Sequence, residues 1–494
     1  MKEPLNENNF VRLAKALMDK HQIPYERALG RLAAMRLHIV CDPESLCLAA
    51  YQAALLTAVN CGSRSFLGGV YVSLPDDVPI LLPWPNAVSL WKAVQELGGR
   101  LAGDDNSFDA TVVLGPGAQS YPEAIRVLCD GWRGGVQPAD IDTTAFATGA
   151  DFALGGVLAG GLAVEHAFLT ACGLAKYPLD RPTGMSLWRP DLDWLDEQSS
   201  GPWLSYLPKR LWFIGLGHLG QAYLWSLGLL PYRNPSDAGF MLQDFDRVAP
   251  SNSIAGLICR KHNAGEYKTR VVVRWLEARG FKTTTTERPY DEHTTRTGEE
   301  PFVALCGVDT TAARRLLENA GFDLVVECGV GSNMADFDRL KLHTFPGASR
   351  KPADIWPAAQ DAVQFREPSP LIVQALKGQE DCGVLASTLE NMAISASFVG
   401  AAAGAIVVGE VLRALHGGCR CELLHLQLRA LQNRRLALHA DKYRSAMAQT
   451  GFVSVVISLA RVPTEGCLVP PTDGACPIDV DDAAGLAITE ALGR

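Results

Sequence analysis

Residues 211–220 read LWFIGLGHLG. An apolar run, Leu211 to Ile214, enters Gly215-Leu216-Gly217-His218-Leu219-Gly220, and the helix-compatible stretch Gln221 to Leu230 follows. That order is strand, glycine turn, helix. Glycines at these positions let backbone N–H groups approach a phosphate closely, and the helix that opens behind them adds the positive end of its dipole. The turn says nucleotide before it says which one.

The whole chain sets bounds on that reading. Its 494 residues exceed one domain at roughly 100–200 residues each, and 48% hydrophobic residues is ample for buried cores. A formal net charge of -9 with no lysine–arginine block argues against a nucleic-acid partner held by a basic surface. The start, MKEPLNENNF, lacks a basic stretch followed by an apolar one, so no secretory signal is expected. Thirteen scattered cysteines suit reduced thiols, and the expected location is cytoplasmic. Residues 393–409 carry no charge, but their Ala, Gly and Ser content reads as a buried helix and not as a membrane span.

Upstream, residues 9–62 read as three helices: one starting with Phe10, Leu13, Ala14 and Leu17 on one face, then ERALGRLAAMRLHIV, then LCLAAYQAALLTAV. Strand-like runs follow at Val70 to Leu74, Ile80 to Leu82 and Ala110 to Leu114, with a helix near Ala87 to Leu97. Strands alternating with helices make the class α/β. The stretch Gly155 to Gly173, a small-residue helix holding Glu165, is echoed by Gly400 to Gly418, holding Glu410. The echo predicts an internal repeat, residues 1–180 being a copy of the later half without the GxGxxG turn. Residues 181–204, rich in proline, glycine and acids, read as the linker.

Downstream of the turn, the strand Phe240 to Gln243 ends in Asp244-Phe245-Asp246, where an acid suits a ribose. Asn252 and Lys268 follow, in DFDRVAPSN and GEYK, and the strand Phe302 to Cys306 ends near Asp309. Hydride transfer to a nicotinamide has no use for this collection. A triphosphate does, since cations neutralise charge during attack at phosphorus and an aspartate at a strand edge suits Mg²⁺. Residues 338–386 read as a long irregular loop with Pro346, Pro352, Pro357, Pro368 and Pro370, ending near Cys382. A helix is expected from Ser387-Thr388-Leu389-Glu390, a capping-box pattern, so Cys382 would sit before a helix dipole that favours a thiolate. Its neighbours Glu380 and Asp381 oppose that effect. Cys306 and Cys328 read as core, and His416, Cys419, Cys421 and His425 lack the paired spacing of a zinc site. The last 441–494 residues offer one strand, Phe452 to Leu459, and no evident chemistry.

From about residue 205 to 418 the chain resembles the ubiquitin-activating enzymes and their relatives, the adenylyltransferases of thiamine and molybdopterin synthesis. The resemblance lies in the order Gly215, Gly217, Gly220; Asp244 and Asp246; Ser251-Asn252; Gly265 to Lys268; and Asp309 to Arg314. It implies two Rossmann-like lobes behind an N-terminal helical segment, the first lobe (1–180) degenerate and the second (205–440) nucleotide-binding. It further implies that Asp244 binds ribose, that Asn252 and Lys268 contact phosphates with Asp246 and Arg314 nearby, and that Asp309 holds Mg²⁺ beside ATP. The family places an arginine three residues after the asparagine, where this chain has Ala255, and Arg260 is the candidate substitute. The family also reaches the triphosphate with an arginine from the partner lobe, for which Arg27, Arg31 and Arg36 offer themselves. Asp381-Cys382-Gly383-Val384 looks like the crossover-loop cysteine of the autophagy class, and the layout looks like the activating enzymes of bacterial ubiquitin-like conjugation systems. The implied activity is adenylation of a ubiquitin-like protein, capture as a thioester on Cys382 and transfer to a conjugating enzyme. The alternatives are a sulfur-carrier adenylyltransferase or small-molecule cyclase of the same family, an NAD-dependent oxidoreductase, and an inactive scaffold.

Overall fold

The computed structural model describes residues 4–75, 78–87, 89–103, 107–116, 121, 123–141, 149–175, 179–347, 349–358, 367–377, 382–439 and 452–454. All of them belong to one unit, Met1–Ile457. Two N-terminal helices, α1 (Arg12–His21) and α2 (Tyr25–Ala34), precede the first sheet. Then come β1 (Arg36–Cys41), α3 (Ala49–Ser65), β2 (Gly69–Ser73), α4 (Leu90–Glu96) and β3 (Gly99–Leu101). The first half closes with β4 (Ala110–Leu114), β5 (Ile125–Cys129), β6 (Arg133–Pro138), α5 (Ala153–Ala171) and β7 (Thr183–Ser186).

The second half begins with β8 (Tyr206–Pro208), β9 (Arg210–Ile214), α6 (His218–Gly228) and β10 (Gly239–Gln243). It continues through α7 (Asn252–Ala255), α8 (Lys268–Glu277), β11 (Lys282–Thr286), β12 (Val303–Cys306), α9 (Thr311–Arg315) and β13 (Leu324–Val330). Next are β14 (Arg339–Phe345), α10 (Pro352–Ile355), α11 (Pro370–Ala375), α12 (Cys382–Asn391) and α13 (Ser397–Leu415). Strands β15 (Arg420–Gln427), β16 (Arg435–His439) and β17 (Phe452–Ser454) end the described chain, β17 pairing antiparallel with β8.

The two sheets share one topology. Their orders are β3-β2-β1-β4-β5-β6-β7 and β11-β10-β9-β12-β13-β14-β15-β16. In each, five strands run parallel and the next ones turn antiparallel, at β5–β6 and at β13–β14. The chain is thus two Rossmann-like α/β lobes, and the repeat is visible in strand order where the letters show only the two glutamate-bearing helices. Those helices, α5 and α13, occupy the same place, each between the two antiparallel strands that close its sheet. A Cβ on Gly156 or Gly160 would lie 1.8 or 2.5 Å from the carbonyl of Ala50 or Ala54 on α3. On α13, a Cβ on Gly404 would lie 2.4 Å from the carbonyl of Ala222 on α6, and one on Gly400 would meet the His218 ring at 2.5 Å. Small residues spaced four apart put both on one face, so the backbones approach closely. Both helices are long and apolar enough to cross a membrane by composition, and 94% of each such window is buried inside the protein. One continuous apolar core runs from Phe10 through both lobes to Leu431.

Several expectations change. RLHIV does not extend the second helix: Met35 leaves the helical region and residues from Arg36 form β1, the central strand, whose Leu37 and Ile39 are fully buried. A short apolar run flanked by helix suits either structure until the sheet supplies partners. Ile80 to Leu82 forms no strand; there Leu81 N donates to Gln52 Oε1. The expected linker contains β7, the edge strand of the first sheet. The expected loop 338–386 begins with β14 and holds α10 and α11, the latter capped by Ser369 Oγ and opened by Pro370. Ser387 and Thr388 are not a cap but lie inside α12, which starts at Cys382. Of Phe452 to Leu459, the first three residues are in β17 and the rest lie outside the described residues.

Candidate active site

Strand β9 delivers the glycine turn to the carboxyl edge of the second sheet, at the point where the order reverses between β10 and β12. Ligands of open α/β sheets bind at such a point. Gly215 sits at φ +83°, and a Cβ there would meet Val308 N at 3.1 Å. A Cβ on Gly220 would lie 1.9 Å from Gly215 O, so the turn can close only without side chains. Gly217 differs: nothing lies within 4 Å of where its Cβ would be. That open space, at the N-terminus of α6, is a cradle suited to an anion.

Asp244 braces the cradle. Its Oδ2 accepts from Leu216 N at 2.6 Å and its Oδ1 from Asp246 N at 2.8 Å. Burial pushes its carboxyl above the usual range, and the charge of Lys268 opposes that. Lys268, the first residue of α8, pairs with Asp246 at 2.7 Å. The loops bearing these residues are stitched by Val248 N to Glu266 O and Gly265 N to Val248 O, both 2.8 Å. Asn252 Oδ1 accepts from Ala249 N at 2.9 Å and so shapes the turn into α7. Asp309 is exposed just beyond β12, where a carboxylate suits a divalent cation. It does not cap α9, whose N-cap residue is Thr310.

Two expected residues stand elsewhere. Arg314 turns inward, donating to Val308 O at 2.8 Å and pairing with buried Glu327 at 3.1 Å, so it supports the backbone before Asp309 and does not face the cradle. Glu327 in turn meets His343 Nδ1 at 3.0 Å. Arg260, the candidate for the arginine missing at Ala255, donates from Nη2 to Glu96 O of α4 at 3.4 Å. Cys382 is the first residue of α12, and its side chain lies outside the described residues.

The sequence reading missed the cation that arrives from the first lobe. Arg12 opens α1; burial lowers its pKa and the charge of Asp309 works against that. It also adds to the burial that pushes His218 of the glycine turn down to about 4. Arg12 Nη1 lies 3.4 Å from Ser395 Oγ, next to Ala396, whose carbonyl is 2.9 Å from His218 Nε2 of the glycine turn. Nearby, Asn8 O accepts from Ser251 N at 2.7 Å. Arg27 and Arg31 are exposed on α2, and Arg36 stands over the Tyr71 ring, so none of the three joins this group. The one signal in the letters was that Arg12 begins the first amphipathic helix. A second first-lobe arginine, Arg64, supports the loop around Ala255, donating to the carbonyls of Ser253, Leu257 and Cys259. In the first lobe the place of the glycine turn, between β1 and α3, is taken by Asp42-Pro43-Glu44-Ser45, whose carboxylates would repel a phosphate.

Two family models match the chain: the BilD N-terminal domain over residues 36–187 and the BilD C-terminal domain over residues 207–418. The bacterial E1-like protein BilD of Collimonas sp. (strain OK412) is 39% identical over 448 residues, covering 89% of this chain and 96% of that one. The chain belongs to the BilD family of bacterial E1-like proteins. Solved structures give weaker likenesses. E. coli tRNA N6-threonylcarbamoyladenosine dehydratase, TcdA, in complex with ATP is 14% identical, covers 42% of this chain and 86% of its own, and has a TM-score of 0.29. E. coli MccB is 12% identical, covers 48% and 62%, and has a TM-score of 0.30. Likenesses of that size say nothing further about this BilD family member.

Proposed function

We propose that this chain activates a ubiquitin-like protein: it adenylates the carrier's C-terminal carboxylate with ATP, takes the acyl group on Cys382 as a thioester, and passes it to a conjugating enzyme. Residues 205–440 are the catalytic lobe. Residues 1–180 are the inactive lobe, which carries Arg12, and residues 441–494 are a C-terminal extension. Membership of an E1-like family supports the reading, and the observation that carries it is the open turn at Gly217 with Lys268, paired to Asp246 at 2.7 Å, and exposed Asp309 at the carboxyl edge of the same sheet. A cation closing over an anion cradle beside a cation-binding aspartate is what phosphoryl chemistry uses and hydride transfer does not.

In this reading the open face of Gly217 and the α6 N-terminus take phosphate, Asp244 takes ribose, and Lys268 and Arg12 neutralise the phosphates, with Asn252 beside them. Mg²⁺ at Asp309 would supply further neutralisation of the phosphate charge. The carrier carboxylate oxygen attacks the α-phosphorus, a new acyl–oxygen–phosphorus bond forms, and pyrophosphate leaves. No general base is needed, since the nucleophile is already ionised, and positioning carries the step. The Cys382 thiolate then attacks the acyl carbon and AMP leaves with the electron pair of the broken bond.

Carrier-dependent ATP–pyrophosphate exchange tests the first step. Asp309→Asn and Arg12→Ala are each expected to lose it by on the order of a hundredfold. Cys382→Ala is expected to keep the exchange and lose the reducible thioester. A Cys382→Ala chain that still forms the thioester would show that another residue is the nucleophile.

A further inference from the structure

Helix α12 is tied to the first lobe at the end opposite Cys382. Lys15 of α1 is 3% exposed; its Nζ donates to the carbonyl of Glu390 and lies 3.4 Å from Glu390 Oε1. The other carboxylate oxygen, Oε2, accepts from Ser369 N at 3.0 Å, at the N-cap of α11. One glutamate thus joins α1, α11 and α12. A buried ammonium is costly unless an opposite charge faces it, and among the described residues Glu390 is the acid paired with Lys15.

Lys15 is not alone on its face of α1. Arg12 stands three residues before it, and residues three apart share a helix face. A single helical turn therefore holds one cation against Ser395, beside the residue whose carbonyl meets His218 of the glycine turn, and the next against the helix that begins at Cys382. Helix α12 has 10 residues and so spans about 15 Å, a rigid arm with Glu390 near one end and Cys382 at the other. Fixing Glu390 fixes where the arm points.

We propose that the Lys15–Glu390 contact positions Cys382 for the thioester step, holding the α12 arm fixed against α1. The proposal rests on Cys382 as the nucleophile. The step it serves forms the sulfur–acyl carbon bond and breaks the acyl–oxygen bond, with AMP as leaving group and the thiol proton passing to solvent. Lys15 and Glu390 touch neither substrate nor nucleotide; they act through the helix.

The test uses the full chain and, as probe, the ubiquitin-like protein that supports pyrophosphate exchange in the unaltered chain. Exchange and single-turnover thioester formation are measured for Lys15→Met, Glu390→Gln and the charge swap Lys15→Glu with Glu390→Lys. Lys15→Met is expected to keep exchange within about twofold and to slow thioester formation by on the order of tenfold to a hundredfold, the scale of a misplaced reacting group. The charge swap is expected to recover part of that loss. Thioester formation at the unaltered rate in Lys15→Met overturns the proposal and leaves the adenylation reading intact. Equal losses in both steps, or a swap that restores the melting temperature without the thioester rate, overturn it as well, because the contact is then structural. Thioester formation by Cys382→Ala overturns the nucleophile assignment and the proposal together.

Discussion

At the residue scale, two arginines of the first lobe reach the second lobe at different places. Arg64 fills no phosphate site; it holds three carbonyls of the loop that contains Ala255, and burial together with Arg260 lowers its pKa to about 9. Arg12 instead donates to Ser395 Oγ. A different kind of residue is Glu165, wholly buried in α5 beside Asp338. Burial, reinforced by Asp338, raises its pKa well above the ordinary 4.5. The folded chain therefore keeps the proton at pH values where the unfolded chain has lost it. Stability from this group is complete below the unfolded pKa and declines as pH rises toward the folded one. Glu165→Gln removes that decline. Its melting temperature is expected to exceed the parent's at pH 8 and to match it at pH 5; a shift of the same size at both would show that Glu165 is not a buried neutral acid.

At the element scale, α13 helps β9 to place the glycine turn. It lies against α6 through Gly400 and Gly404, and His218 Nε2 is 2.9 Å from Ala396 O, just before α13 begins. A Cβ on Gly404 would come 2.4 Å from Ala222 O, which is backbone and cannot rotate away. Gly404→Val is expected to push α6 outward, lowering the melting temperature and weakening ATP binding together, with a loss of roughly 1–3 kcal/mol for an overpacked core. Gly30→Ala in α2 is the control: no atom lies within 4 Å of its Cβ position, so the change should stabilise the helix by up to about 1 kcal/mol. Calorimetry and nucleotide titration of the two variants decide the matter. An unaltered ATP affinity in Gly404→Val would mean that the turn does not depend on this packing.

At the scale of the whole molecule, the lobes are not separable pieces joined by a linker. Trp225 Nε1 donates to Thr57 Oγ1 at 3.1 Å, Asn60 Nδ2 to Leu257 O at 3.0 Å, and a Cβ on Gly161 of α5 would meet Phe398 O of α13 at 2.9 Å. Residues 205–440 expressed alone would expose the face of α13 that α5 covers and would lack Arg12. They are expected to aggregate and to lack exchange activity, with both properties restored by co-expressing residues 1–204; a soluble, active fragment would show that the shared core is dispensable. Much of this protein was legible in local pattern. The glycine turn, Asp244, Lys268, Asp309 and the two small-residue helices depend on neighbours close in the chain, where strand and helix periods and glycine's missing side chain leave a trace in the letters. RLHIV shows where that stops, since a buried central strand and a buried helix segment look alike until the sheet supplies partners. Arg12 at Ser395, Arg64 at the Ser253–Cys259 loop and Lys15 at Glu390 were decided by the tertiary structure alone. Each crosses between lobes through residues nearly two hundred or more positions apart. No local period records such a meeting; it exists only when α1 and α3 are packed against the second lobe by a common apolar core.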